Sequence, residues 1–543
     1  MGEDLEADYV IVGAGSAGCV LANRLSADPA NKVILLEAGG PDRHPLIRLP
    51  FAFLKLQSIG SLGWNYMSEP EPGLDGRRLA LPRGKVLGGT SSINGMVYSR
   101  GHPADYDEWE ALGAKGWSWR DVLPYFKHSE RSWRGPGKWH GGTGPLPVTP
   151  VDVEGRLHEK VMATARAKGF EVSDDQHGDR IGEGFAPPEV TVENGRRASS
   201  ATQYLRPVLG RSNLQVLTGV TALRIVVEDG AARGVEIERS GSRGIARARR
   251  EVILSAGAYN SPKLLLLSGI GPAEELRDLS IEVIADLPGV GNNLQEHPLT
   301  GVAAELKEPI GFDSNLRADR LGWNLLRYAA GKSPKATQLP VTAFAFMRTQ
   351  EGLDRADIKA NIYPTRLDAR VWFPLLRKPA GHAITVFSVL LRPFSRGSMK
   401  LRSPDPHEAP AIRIAMYEDE RDLATMRRSV RQVRDFLSGD PLAASLGREI
   451  MPGEQVATDD AIDAYNKQFS VLAHHASGTC AMGQGRDAVL DPQLRVRGVD
   501  RLRVVDASVM PRVIGGNTHA PVVMIAERAA DLILGKPTLP PEG

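Results

Sequence analysis

The sequence predicts an α/β protein of two packed units: a parallel-sheet domain, discontinuous along the chain, and a smaller α+β domain built on an antiparallel sheet. Three observations predict it. A strand, a glycine-rich turn and an amphipathic helix open the chain, apolar strands with their own turns recur in its middle, and a strand and a closing helix return near its end. The length of 543 residues exceeds the size at which one hydrophobic core stops growing, so two units is the economical division.

In chain order, residues 8–12 read as a short apolar strand, Gly13-Ala14-Gly15-Ser16-Ala17-Gly18 as a tight turn and residues 19–26 as an amphipathic helix. That order is the Rossmann-like dinucleotide fingerprint. Gly13 permits the turn, Gly15 lets backbone approach a pyrophosphate, Gly18 lets helix pack on strand, and the helix N-terminus turns its free N–H groups to the phosphates. The next strand, 32–36, runs into Glu37-Ala38. A carboxylate there accepts hydrogen bonds from ribose hydroxyls and repels a 2′-phosphate, which favours FAD or NAD over NADP.

Residues 116–126 then read as a capped helix, the Gly/Pro-rich 135–150 as a crossing between units, and 156–168 as a helix. From Leu214 the chain alternates through Val227, turns at Asp229-Gly230 and returns through 235–239 as a hairpin; the basic run 247–251 reads as the solvated face of a further strand. Strands at 341–347 and 384–391 and a charged helix at 419–437 form the second unit, whose sheet is expected to wall a cavity. A strand at 499–506 and a helix at 521–534 return to the first. The division is therefore 1–157, 196–299 and 473–543 for the nucleotide domain, and 158–195 and 300–472 for the second domain.

Composition narrows the function classes. With 67 basic and 65 acidic residues no net field points to nucleic acid or an anionic membrane. The two cysteines, Cys19 and Cys480, are too few for a disulfide scaffold and are expected as reduced thiols. No run of about eighteen apolar residues offers a spanning helix, and the short first apolar segment follows an acidic leader, unlike a signal peptide. The expected compartment is the cytoplasm.

Two further segments carry the chemistry. Residues 84–95 (GKVLGGTSSING) hold four glycines and three hydroxyl side chains, a loop able to bring backbone N–H groups against a flat or anionic ligand. Residues 257–271 (GAYNSPKLLLLSGIG) read as a strand end, then Ser-Pro opening a Leu-rich helix. These segments resemble the two signature motifs of glucose-methanol-choline (GMC) oxidoreductases, in the branch of bacterial choline dehydrogenase-like and alcohol oxidase-like members. The likeness continues through 101–130, 289–298 and 475–534.

The resemblance implies FAD, with its ADP half on Gly13, Gly15, Ser16, Ala17, Gly18, Glu37 and Ala38. It places the flavin ring against Val86, Gly88, Gly89, Ser91, Asn94, Gly95, Met96 and Val97. Val220 is expected near the adenine, Ala256 and Gly257 at a strand end, Asp506 and Ala507 beside the ribityl and pyrophosphate, and Asn517 and Pro521 at the closing helix. The position that holds flavin covalently in some relatives is Ile93 here, so non-covalent FAD is expected.

Alcohol oxidation needs a base at the hydroxyl while the flavin N5 accepts hydride. Histidine suits the base because its ordinary pKa, about 6.5, leaves it neutral near pH 7. The resemblance assigns His475, in His-Ala-Ser-Gly-Thr-Cys, as that base, and His519, in Gly-Asn-Thr-His-Ala-Pro, as the second catalytic residue. His474, Phe346, Trp372 and Phe373 are candidate substrate contacts, while Glu296-His297 reads as structural with a minor cofactor role. No CxxC or HExxH spacing suggests a metal, and no GxSxG elbow suggests a serine hydrolase. The expected partners are an uncharged small-molecule alcohol, no aromatic cage for a quaternary ammonium being identifiable, and O2 or a quinone-like carrier as electron acceptor. The alternatives are a flavin-bearing lyase of the hydroxynitrile lyase type, an NAD-dependent dehydrogenase and an inert flavoprotein scaffold.

Overall fold

Apolar alternation sorts the strands into two large sheets, seen in a computed structural model that describes residues 5–153, 155–332, 337–374 and 376–543. In the first, Leu5–Val12 pairs in parallel with Val33–Glu37 on one side and Ser242–Leu254 on the other. Leu214–Thr218 extends it beyond Val33–Glu37, and Leu502–Val504 joins Ser242–Leu254. The strand residues Val10, Ile11, Leu35, Val252 and Ile253 are fully buried, as a parallel sheet covered on both faces requires. Helices Ser16–Leu25, His519–Ile533 and Trp119–Ser129 pack in succession against one another, so the chain's beginning and end share one core.

Two expectations change. Residues 214–227 are two strands and not one: Gly219, at φ +69°, breaks the run and gives its N–H to the Gly39 carbonyl at 2.9 Å. Leu214–Thr218 therefore pairs in parallel with Val33–Glu37, and the hairpin consists of Val220–Glu228 and Ala231–Arg239. Its turn holds Asp229 and Gly230 at φ +51° and +71°, the positive pair that matches strand twist. The Leu-rich helix starts at Gly257 and runs to Leu267, with Pro262 inside it. It starts early because the Asp506 carboxylate caps it, accepting from Gly257 N–H at 2.9 Å and Ser261 Oγ at 2.5 Å. Pro262 cannot donate to the Ala258 carbonyl; the Thr479 hydroxyl does so instead, at 2.7 Å.

The second sheet is antiparallel, in the order Leu446–Met451, Pro298–Leu306, Ala383–Leu390, Ile358–Tyr363, Ala343–Met347 and Gly184–Ala186. Alternation divides its faces. Val302, Ala304, Ala343, Ala345, Ile358, Ala360, Ile362, Ile384 and Val386 pack on helices Arg156–Ala167 and Glu420–Leu437. The intervening residues Leu299, Lys359, Asn361, Tyr363, Thr385, Phe387 and Val389 turn the other way and line a cavity against the first unit. Among the described residues no helix is long and apolar enough to cross a membrane.

Candidate active site

The glycine fingerprint is built to receive a phosphate group. A Cβ on Gly13, which has φ +98°, would lie 2.6 Å from the Ser255 carbonyl oxygen, and one on Gly18 would lie 1.9 Å from the Gly13 oxygen. Gly15 differs: its Cβ would meet only the Ser255 oxygen at 3.7 Å, so space stands open beside the backbone. The helix it caps has no side-chain N-cap bond and no acidic residue in its first turn, leaving N–H donors for an anion. Glu37 closes the next strand, buried, and accepts from Ala14 N–H at 3.0 Å and Gly39 N–H at 2.8 Å. Burial pushes its carboxyl up to about 7, against those two hydrogen bonds.

The second glycine loop docks on the first. Gly88 donates its N–H to the Ala14 carbonyl at 2.8 Å, and a Cβ on Gly89 would lie 2.7 Å from Gly15 Cα. Buried Arg197 holds the far side of this loop through the Asn94 carbonyl (2.6 Å), Asn94 Oδ1 (2.7 Å) and the Ile47 carbonyl (2.9 Å).

These segments and the second sheet enclose a cavity of about 870 Å³. Its wall includes Gly13, Gly15, Ser16, Ala17, Glu37, Ala38, Gly89, Ser91, Asn94, Gly95, Met96, Val97, Val220, Ala256, Gly257, Asp506, Ala507, Asn517, His474, His475 and His519. Gly18, Val86, Gly88 and Pro521 lie behind it. Gly18 is filled by the Gly13 carbonyl, Val86 packs under the loop with Ile47 and Ile93, Gly88 shapes the loop at φ +86°, and Pro521 is buried in the first turn of His519–Ile533. Phe346 is also behind the wall. Trp372 and Phe373 lie away from it, Phe373 being 42% exposed and Trp372 donating to the Asp313 carbonyl at 3.0 Å.

At the sheet end of the cavity, four side chains form a hydrogen-bonded row. Lys359 Nζ donates to Asn517 Oδ1 at 2.8 Å, Asn517 Nδ2 lies 3.0 Å from His475 Nε2, and His475 Nδ1 lies 2.9 Å from His297 Nδ1. A lysine ammonium only donates, so it turns the Asn517 amide nitrogen to His475. The pattern assigns Nε2 of His475 as acceptor and Nδ1 as the protonated nitrogen. Burial, followed by the neighbouring His297 and Lys359, holds the His475 imidazole well below the ordinary histidine range, and therefore neutral. Glu296 accepts the backbone N–H of His475 and that of His297, and is itself paired with Arg83 at 3.0 Å.

Asn517, and not His519, is thus the side chain that meets His475. His519 sits two residues on, where its Nε2 lies 3.1 Å from Ser200 Oγ. His297 touches His475 directly, a larger part than the structural one expected for it. Lys359, Asn361 and Arg83 were not anticipated. The available signal was a lysine inside an apolar strand, where a charge needs a reason.

Unpartnered polar atoms mark the same wall. Buried groups without hydrogen bonds are rare in folded proteins, yet Ser255 Oγ, His297 Nε2, Asn361 Oδ1, His474 Nδ1 and His519 Nδ1 all lack partners and belong to residues lining this cavity. A long ligand with phosphate, polyol and polar ring edges fits this donor and acceptor set, as FAD has.

The family profiles of GMC oxidoreductase match residues 7–299 and, in the C-terminal part, 393–526. The chain is 44% identical over 539 residues to the oxygen-dependent choline dehydrogenase of Sinorhizobium fredii, covering 98% of this chain and 97% of that one. It is 43% identical over 542 residues to the enzyme of the same name from Brucella ovis, with the same coverage. Among solved structures it is similar to pyridoxine 4-oxidase from Mesorbium loti, at TM-score 0.86 and 32% identity over 96% of this chain and 98% of that one. It is also similar to an Aspergillus oryzae formate oxidase variant studied for FAD modification, at TM-score 0.91 and 26% identity over 98% and 99%. With its signature segments, the cavity they line and the enclosed histidine in one place, the chain belongs to the GMC oxidoreductase family and is an FAD-dependent enzyme that oxidises CH–OH donors.

Proposed function

We propose that His475 is the base that takes the hydroxyl proton of a small alcohol, oriented by Asn517 and His297. The observation that carries this reading is the row itself: a neutral imidazole whose acceptor nitrogen faces the cavity beside an amide donor. One Asn517 Nδ2 hydrogen occupies the single lone pair of His475 Nε2; a substrate oxygen that accepts from Asn517 in its place releases that lone pair to take the hydroxyl proton. His297 accepts the Nδ1 proton of His475 and fixes the tautomer, while Glu296 and Arg83 hold the backbone of the histidine segment. FAD, when bound, supplies the hydride acceptor on the other side of the substrate carbon.

We further propose that FAD is held non-covalently. Ile93, which the family resemblance matches to the linking position of some relatives, lines the cavity, and its side chain offers no nucleophile. The two buried free thiols, Cys19 and Cys480, suit a reducing compartment such as the cytoplasm. A flavin-bearing lyase gains no support from the relatives named above.

The test is an anaerobic absorbance titration of the purified protein with aliphatic, aromatic and amino alcohols, followed by admission of air. Bleaching by one alcohol class is expected. Rapid recolouring would assign O2 as acceptor, and slow recolouring a quinone or another carrier. His475→Ala should keep FAD but slow bleaching by about 10²–10⁴-fold, the usual worth of a positioned base. Near-normal bleaching in that variant would overturn the assignment.

A further inference from the structure

Lys359 stands out among the charges of the cavity. It lies in mid-strand at 2% exposure, its ammonium 4.1 Å from the Phe344 ring centroid and 5.5 Å from that of Phe346. Asn517 is its hydrogen-bond partner, and burial alone shifts its pKa, down to about 7. Asn361 is two residues along the same strand and therefore on the same face, with Oδ1 unpartnered.

The carboxylates lining the cavity do not offset this charge. Glu37 is engaged with Ala14 and Gly39 at the nucleotide end, and Asp506 with Gly257 and Ser261. Among the second-sheet strand residues that line the cavity, Lys359 is the one charged side chain, its neighbours being apolar or neutral polar.

We infer that Lys359 is a specificity-determining residue, which with Asn361 admits alcohols that are neutral or anionic near the carbinol carbon and rejects those carrying a quaternary ammonium there. This rests on the reading of His475 and Asn517 as the hydroxyl site. A substrate oxygen at Asn517 lies one amide group from the lysine, so an ammonium two carbons along the substrate stands roughly 6 Å from it. Two like charges at that separation in a partly dry site cost about a hundredfold in binding. The chain would then part from the choline dehydrogenases it is similar to in substrate, while keeping their reaction.

The experiment compares choline with its uncharged carbon isostere, 3,3-dimethyl-1-butanol, on FAD-loaded enzyme at about pH 6, where the lysine is charged and His475 is not. The isostere should exceed choline in kcat/KM by about a hundredfold, and Lys359→Met should bring the ratio within about tenfold. Lys359→Gln serves if the Met variant loses FAD. Equal efficiency in the wild type, or a ratio unmoved by either variant, overturns the inference. Binding gives a second readout that needs no turnover: 3,3-dimethylbutanoate should perturb the flavin absorbance at least tenfold more tightly than ethyltrimethylammonium, and lose that advantage in the variants. Failure of every alcohol to bleach the flavin would count against the hydroxyl site alone, whereas tighter binding of the cation would sink the specificity assignment.

Discussion

His475 is enclosed by His297, Asn517, Lys359 and Arg83, and this surrounding sets how the enzyme responds to acid. A base is useful only while neutral, and an ordinary histidine loses that form as pH falls through about 6.5. Here burial first, and then the adjacent His297 and Lys359, hold the imidazole well below that value. The neutral form consequently persists as pH drops past 6.5. With an uncharged alcohol, kcat/KM of the wild type should hold level from about pH 6 to about pH 5, below the titration of Lys359 near 7, the acid limb of His475 lying lower. An acid limb centred near 6.5 would show that His475 titrates as a solvated histidine and that the row does not form. Of this residue-scale picture, His475 and the Gly-Asn-Thr-His segment were legible as local motifs. Their partners were not: His297 reaches His475 through the pairing of Pro298–Leu306 with Val471–Leu472, and Lys359 through the pairing of Pro298–Leu306, Ala383–Leu390 and Ile358–Tyr363. Choosing Asn517 over His519 likewise depends on where the helix begins, and both residues sit within the same short motif.

Among the elements, the helix Gly257–Leu267 ties the two halves of the nucleotide domain together through borrowed hydrogen bonds. Its Pro262 leaves the Ala258 carbonyl without an intrahelical donor, and the Thr479 hydroxyl from the histidine segment fills the place at 2.7 Å. Thr479→Val keeps the side chain's size and removes that donor from a fully buried site. The expected cost is about 1–3 kcal/mol, the penalty of a buried unsatisfied group, read as a lower denaturation midpoint with unchanged m-value. A variant as stable as the wild type would mean that the carbonyl finds another partner. Local chemistry was readable where one short stretch decides the outcome, as in the turn at Asp229-Gly230. It was not readable where a distant group decides it: Gly219 breaks a strand whose alternation continues past it, because its N–H is drawn to Gly39. The early helix start depends in the same way on Asp506, which lies 249 positions along the chain from Gly257.

At the scale of the whole molecule, the enclosed histidines link the fold to pH. Burial lowers His177, His297 and His474 to about 3 and His519 to about 4. Each is neutral when folded and takes up a proton on unfolding once pH is below about 6.5, so the unfolded chain binds more protons and acid favours it. Their stabilising contribution is therefore complete above about 6.5 and declines as pH falls toward their folded values. His140 acts in the opposite sense. Burial disfavours its charge, but hydrogen bonds to Asp175 and Glu130 raise it to about 9, so its contribution is complete below about 6.5 and fades as pH rises through 9. His102 and His475 are lowered as well, burial again being the largest cause, so six histidines against one give a net loss of stability in acid. The thermal midpoint of the FAD-loaded protein should fall steadily from about pH 6.5 to 4.5. His177 gives a direct check, because its ring packs edge-on at 5.0 Å against Tyr98 and neither nitrogen makes a hydrogen bond, Nε2 lying 3.9 Å from the Glu189 carboxylate. His177→Phe keeps a ring there without the titrating group, and should make the acid decline shallower. A midpoint flat to about pH 5 would mean that the buried histidines reach solvent when folded, and a slope unchanged in the variant that His177 does.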